Sequence, residues 1–270
     1  MQIQSLPSMP HKRGPLQIQR AVLFGLVVRE LRARVEGRWL GLIWMVFEPL
    51  AHALLLVGFI GARSNLFTVN VDYPVFLVTG MLPFFLFRNL ARRLPNAIGS
   101  NRSLFAYRQI KPIDALAASA MVEIALYGVV YLVALCLLGW LGYHAVPHAP
   151  LELMVVSAVL VLFGISLGLL FSVLSFQRPK VNTVIGLMFY PLYFASGVIF
   201  QLHNLAPNVR LWLLYNPVLH LVELERVYFI PNYVALPGVS LAYPAAWALV
   251  TAALAMSLYR VYRYRFLTIG

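Results

Sequence analysis

Apolar residues gather into six long stretches, near 39–62, 75–98, 114–141, 153–176, 181–200 and 244–262, with short polar breaks between them. A helix needs about 20 predominantly apolar residues to cross a bilayer, so the pattern predicts an all-α polytopic membrane protein with six transmembrane helices. Ahead of the first stretch, Phe24, Val27, Val28, Leu31 and Val35 recur at helical spacing while Arg29, Arg32 and Glu36 mark another face. The apolar run there is too short to span. It predicts an N-terminal helix lying in the cytoplasmic headgroup plane, the alternative being a solvated basic leader.

The second stretch changes character along its length. It is apolar from Pro74 to Phe87, then Arg88, Asn89, Arg92 and Arg93 interleave with Leu90, Leu94, Ala97 and Ile98. An arginine facing lipid costs about 2.5–3.5 kcal/mol, so these side chains must face protein, water or the membrane edge. The helix is expected to bend around Pro95 and continue beyond the membrane. Residues 101–111, NRSLFAYRQIK, predict a brief helix ended by Pro112, with Leu104, Phe105, Tyr107 and Ile110 as an apolar ridge flanked by Arg102 and Arg108. The segment 201–243 is apolar but cut by Pro207, Pro217, Pro231 and Pro237. Each run is too short to span, which predicts short re-entrant-like helices before the last span.

Charge adds an orientation. The chain carries 21 Lys and Arg against 9 Asp and Glu, and all the basic residues but Arg63, Arg210 and Arg226 fall on one side of the predicted spans. This bias places both termini in the cytoplasm. A hydrophobic content of 61% leaves no room for a soluble domain. The expected organisation is a mobile tail over 1–15, which lacks the apolar core of a cleavable signal peptide, and one transmembrane domain over 16–270. Anionic lipid headgroups account for the net charge of +12 more simply than nucleic acid does. The lone Cys136 excludes an intrachain disulfide.

Candidate chemistry is sparse. There is no P-loop, HExxH or CxxC, and no catalytic residue, metal site or cofactor is expected in this chain. Glu48 and His52 stand four apart and share a helix face; without further ligands a metal is disfavoured against a polar pair satisfied by a neighbouring helix. Glu123 can neutralise a second-span arginine or stand on a transport path. Tyr190, Tyr193 and Trp212 belong to a crowd of aromatics that suits either a carbohydrate path or an interfacial belt. A membrane transferase would need a convergent Asp/Glu/His set that the chain does not offer. A membrane anchor or scaffold gives no reason for arginines inside a span.

Three stretches carry a resemblance over roughly residues 20–265. RELRARVEGRWLGLIWMVFEPL at 29–50 looks like the entry segment of the permeases of ATP-driven polysaccharide exporters, the type-2 ABC export family. TGMLPFFLFRNLARRLPNAIGSNRSLFAYRQIKPIDAL at 79–116 resembles specifically the capsular polysaccharide permeases, and YNPVLHLVELER at 215–226 the Asn-Pro element before the last span. O-antigen permeases share the layout but less of the middle stretch. The resemblance implies a permease subunit in the bacterial inner membrane, acting as a homodimer on two copies of an ABC ATPase that supplies ATP and Mg. It implies a lipid-linked capsular polysaccharide as substrate, with a periplasmic co-polymerase and outer-membrane proteins continuing the route. Arg102, Leu104, Phe105, Tyr107 and Arg108 would form the ATPase-coupling helix, with the rings of Phe105 and Tyr107 projecting toward the partner. Arg29, Arg32 and Arg34 would lie on a cytoplasmic gate helix. Arg88, Arg92, Arg93, Glu48, Tyr190, Tyr193 and Trp212 are the residues expected to line the substrate path.

Overall fold

The computed structural model describes residues 14–35, 41–61, 71–177 and 180–263. Within them the chain forms nine α-helices and no strand: α1 (Pro15–Val35), α2 (Gly41–Gly61), α3 (Tyr73–Ser100), α4 (Pro112–Trp140), α5 (Pro150–Gln177), α6 (Val181–Ala195), α7 (Pro207–Leu213), α8 (Pro217–Phe229) and α9 (Ala242–Tyr262). Four are long and apolar enough to cross a membrane: α3, α4, α5 and α9. Two further apolar segments are shorter, Phe47–Phe59 within α2 and Val181–Ala195, which is α6. The expected tail over 1–15 lies outside the described residues except for Gly14 and Pro15, and Pro15 already opens α1.

The fold is built around α3. Its most apolar window is 78% buried, against 28% for those of α4 and α9, because α2, α4, α5, α6 and α8 all pack on it. In one half of the bundle Phe76, Phe84 and Phe87 of α3 meet Val156, Leu160 and Phe163 of α5 and Val222 and Phe229 of α8. In the other half Leu90, Leu94 and Ile98 meet Leu116, Leu169, Val173 and Tyr259. The α3–α5 contact is close at Gly164 and Gly168, where a β-carbon at 168 would sit 2.7 Å from the Leu90 carbonyl. Small residues four apart let helix backbones approach inside a membrane. The pentapeptide GISLG at 164–168 also has the letters of a nucleophile elbow. It lies inside a helix, though, and Ser166 Oγ donates to the Leu162 carbonyl 2.7 Å away.

The predicted fifth span to residue 200 is corrected: α6 ends at Ala195. Gly197 has φ +65°, a conformation glycine adopts without steric penalty, and the turn there aims the carbonyls of Gly197 and Val198 at Arg226 instead of continuing the helix. Together α6 and this turn run alongside α3 from Asn96, which Asn182 meets at 3.4 Å, to Tyr73, whose hydroxyl donates to the Ile199 carbonyl at 3.4 Å. On α3 the same interval rises about 35 Å.

The segment 201–243 does form short helices, α7 and α8. Asn216 caps α8 by accepting from the Val218 N–H at 3.0 Å. The last turn of α8 is held by Arg226, which is fully buried. Its guanidinium donates to Gly197 O at 2.9 Å, Val198 O at 2.8 Å and Phe76 O at 3.3 Å, pairs with Glu223 at 3.0 Å, and lies 3.6 Å over the Phe76 ring. A β-carbon on Gly80 would collide with that guanidinium. Sequence reasoning gave Arg226 no role, although Glu223 and Arg226 three apart in an apolar run marked it.

Candidate substrate groove

The mixed half of α3 turns one face to a groove walled by α2, α4 and α6. Two adjoining cavities of about 340 and 250 Å³ share Glu48, Phe85, Arg88 and Arg92. Asn89, Arg93, Asn96 and Tyr127, with Pro49, Leu126 and Val130, complete the first; His52, Gly186, Phe189, Tyr190 and Tyr193 complete the second. A further cavity of about 410 Å³ takes over at Arg92, Asn96 and Tyr190 and extends to Asn182 and Thr183. The groove is therefore polar along its floor, with aromatic groups at one end.

The four-residue spacing of Arg88 and Arg92 puts both on this face. Neither lies within 4.0 Å of a carboxylate among the described residues. The Arg88 guanidinium stacks 4.3 Å over the Phe85 ring, and its Nε is buried without a hydrogen-bond partner. Arg92 reaches across Gly186, whose missing side chain leaves room for it: a β-carbon there would stand 3.3 Å from Nη2. Glu48 is exposed, lines both cavities and joins no ion pair among the described residues. His52 meets the Tyr193 hydroxyl at 3.3 Å, so of the suggested pair only His52 is satisfied by a neighbouring helix. No group of three His, Cys, Asp or Glu able to hold a metal occurs among the described residues. Above Arg88, Tyr193 stacks on Phe85 with centroids 5.8 Å apart and meets Phe84 at 5.1 Å.

Arg93 plays a different part from its neighbours. About 100° round the helix, it pairs at 3.1 Å with Glu123 of α4, a carboxylate with no exposed surface. The same Glu123 oxygen holds Arg34 of α1 at 2.7 Å, and Arg34 also pairs with Glu30 at 3.0 Å. One buried acid thus ties the first helix to the groove wall. Removing one member of a buried ion cluster strands the others and costs about 3–5 kcal/mol. Glu123→Gln is accordingly expected to loosen α1, read as new trypsin cleavage at Arg29, Arg32 or Arg34 in the detergent-purified protein; cleavage as slow as in the wild type would show that the cluster does not hold α1. Of the other expected gate residues, Arg29 donates to the Ser100 carbonyl at 2.9 Å and Arg32 is exposed.

The structure separates the remaining expected site residues. Trp212 is 77% exposed and lines none of the groove cavities. On α7 its neighbours Leu213 and Leu214 turn inward onto Leu202, Leu219 and Leu236, which sends Trp212 outward with Tyr215. The aromatics divide accordingly, Tyr190 and Tyr193 on the groove and Trp212 on the outer rim. Residues Arg102–Ala106 form a single 3-10 turn, and the apolar ridge splits. Phe105 is 9% exposed and packs beneath α3 and α4 with Ile98 and Leu116, so its ring does not project. Tyr107 is 65% exposed. Leu104 faces α1 across a shallow cavity, Arg102 lies over Phe176 at 5.4 Å, and Arg108 is exposed.

The profile of the ABC-2 type transporter family matches residues 21–230, an interval that holds the groove, the Glu123 cluster and α8. The chain belongs to that family. It is 34% identical over 256 residues to the polysialic acid transport protein KpsM of Escherichia coli, covering 95% of this chain and 99% of that one. It is 28% identical to the capsule polysaccharide export inner-membrane protein CtrC of Neisseria meningitidis serogroup B, over 78% of this chain and 80% of the other. The O-antigen export system permease protein RfbA of Myxococcus xanthus is 26% identical over 78% of this chain and 80% of its own.

Proposed function

We propose that this ABC-2 chain is the membrane permease of an exporter that moves lipid-linked capsular polysaccharide across the bacterial inner membrane. The observation that carries the reading is the groove: two cations, Arg88 and Arg92, stand in it with no carboxylate within ion-pair distance among the described residues. Arg88 is half-buried with its Nε unpartnered and Arg92 is exposed to the groove; a partly desolvated charge without a counter-ion is costly, and an anionic glycan passing along the groove would supply one. Tyr190, Tyr193 and Phe85 offer ring faces beside those cations. The greater identity and coverage of KpsM relative to RfbA favour a capsular glycan over O-antigen.

Counting α2 and α6 as spans gives six, with both termini cytoplasmic. The path of α6 and its turn alongside α3 for a bilayer's thickness supports that count. A second copy of the chain packed over the groove would close it into a conduit. An ABC ATPase, two copies per dimer, would supply ATP hydrolysis from the cytoplasm, and periplasmic and outer-membrane export proteins would receive the product. The turn at 102–106 is the coupling element in this reading, and it acts through Tyr107 and Arg108 rather than through Phe105.

Co-purification tests the assignment. Tyr107→Ala is expected to lower the ATPase recovered with the tagged permease severalfold while permease level stays normal. Phe105→Ala should instead lower the permease level itself, since truncating a buried Phe costs about 3–5 kcal/mol. Full ATPase recovery with Tyr107→Ala, or no ATPase with the wild type, would remove the coupling role.

A further inference from the structure

We infer that the chain carries a binding site for an anionic phospholipid where the start of α4 meets the end of α9. A cavity of about 420 Å³ lies there, lined by Lys111, Pro112 and Ile113 on one side and by Met256, Tyr259, Arg260 and Arg263 on the other. The three cations come from two elements far apart in sequence and converge on one hollow. Its floor is fixed: Tyr259 is 9% exposed and belongs to the buried cluster of Leu116 and Ala255, with Ile113 packed against it. The acid nearest in sequence, Asp114, is buried and occupied elsewhere, accepting from the Lys111 backbone N–H at 2.8 Å and from Gln19 of α1 at 2.7 Å.

The surroundings distinguish a lipid from a free anion. Met256, Arg260 and Arg263 follow one another at helical spacing, so they share a face of α9. The same stripe continues toward the middle of the membrane through Ala253 and Leu249, both exposed. On α4 a second stripe leaves the cavity through Ile113 and Ala117 to Met121, which is 42% exposed. A phosphate seated among Lys111, Arg260 and Arg263 would therefore have acyl chains lying against apolar side chains that already face lipid. Basic hollows between helices at a membrane edge suit anionic headgroups, and guanidinium groups match phosphate with paired hydrogen bonds. The site requires only that the bundle stands in a membrane, not that it moves a glycan.

Native mass spectrometry of the full-length detergent-purified chain, titrated with phosphatidylglycerol or phosphatidylcholine of the same acyl composition, tests this. The wild type is expected to retain phosphatidylglycerol selectively. Each cation near an anionic lipid changes binding about fivefold, so Lys111→Gln with Arg260→Gln should weaken retention about thirtyfold. Inorganic phosphate at millimolar concentration should not displace the lipid. Equal retention of both lipids by the wild type, displacement by phosphate, or unchanged retention in the double variant would each overturn the proposal. Headgroup selectivity is read on the wild type, so a double variant that fails to fold leaves the test standing. Export lost for other reasons does not bear on it.

Discussion

Arg88→Glu or Arg92→Glu is expected to stop export while the protein remains in the membrane at normal level. Both guanidiniums line the groove and neither is engaged by a carboxylate among the described residues, so no structural ion pair is lost on reversal. Reversal replaces attraction for an anionic glycan with repulsion inside a partly desolvated cleft, where losing one charge partner costs about 2–5 kcal/mol. That corresponds to a fall in surface glycan of at least tenfold. The lysine variants keep the charge but lose the planar fork, and partial export should survive. Because Glu123 already holds Arg34 and Arg93, adding Glu123→Arg should not rescue either single reversal. Rescue, or disappearance of the protein, would mean that these arginines are structural.

Arg226→Met should have a different signature, loss of the folded protein. The side chain gathers three carbonyls, Glu223 and the Phe76 ring into one buried cluster joining α3, the turn after α6 and α8. Without it Glu223 keeps, among the described residues, only the Tyr233 hydroxyl, 3.1 Å away, and the expected cost is about 3–5 kcal/mol. That is a large part of a typical folding free energy. Membrane level should fall several-fold, and Glu223→Gln combined with Arg226→Met should recover part of it by removing the stranded acid. Gly80→Val should resemble the arginine variant, since its side chain would occupy the place of the guanidinium. A normal level of Arg226→Met protein that fails only in export would contradict a structural role.

What the sequence made legible follows from how strongly each signal is written in local chemistry. The long apolar runs of α3, α4, α5 and α9 fixed those helices to within three residues, because a bilayer demands both length and apolarity. The insertion cost of arginine asked for side chains facing protein, water or the membrane edge; Arg93 meets Glu123 and Arg92 opens onto the groove, and spacing alone put Arg88 and Arg92 together. Glu123 was legible as a partner for one arginine; that it would also take Arg34, 89 residues earlier, was not, since nothing local connects α1 to α4. Phe105 and Trp212 misled for the same reason. An aromatic at a membrane edge reads alike whether it packs under its own helices, as Phe105 does, or faces outward, as Trp212 does. The end of α6 escaped because it is set by Arg226, thirty residues later, drawing the carbonyls of Gly197 and Val198 to itself.

The central claim is that the glycan travels along the α3 face bearing Arg88 and Arg92. A photoreactive amino acid in place of Tyr190, which lines the groove beside Arg92, tests it in cells making capsule with ATP supply limited to trap export midway. Irradiation should join the permease to glycan, detected as a glycan-reactive, high-mass smear on the tagged chain, and the same residue at Trp212 should give little. Glycan adducts at 212 with none at 190 would contradict the account and move the path off this groove.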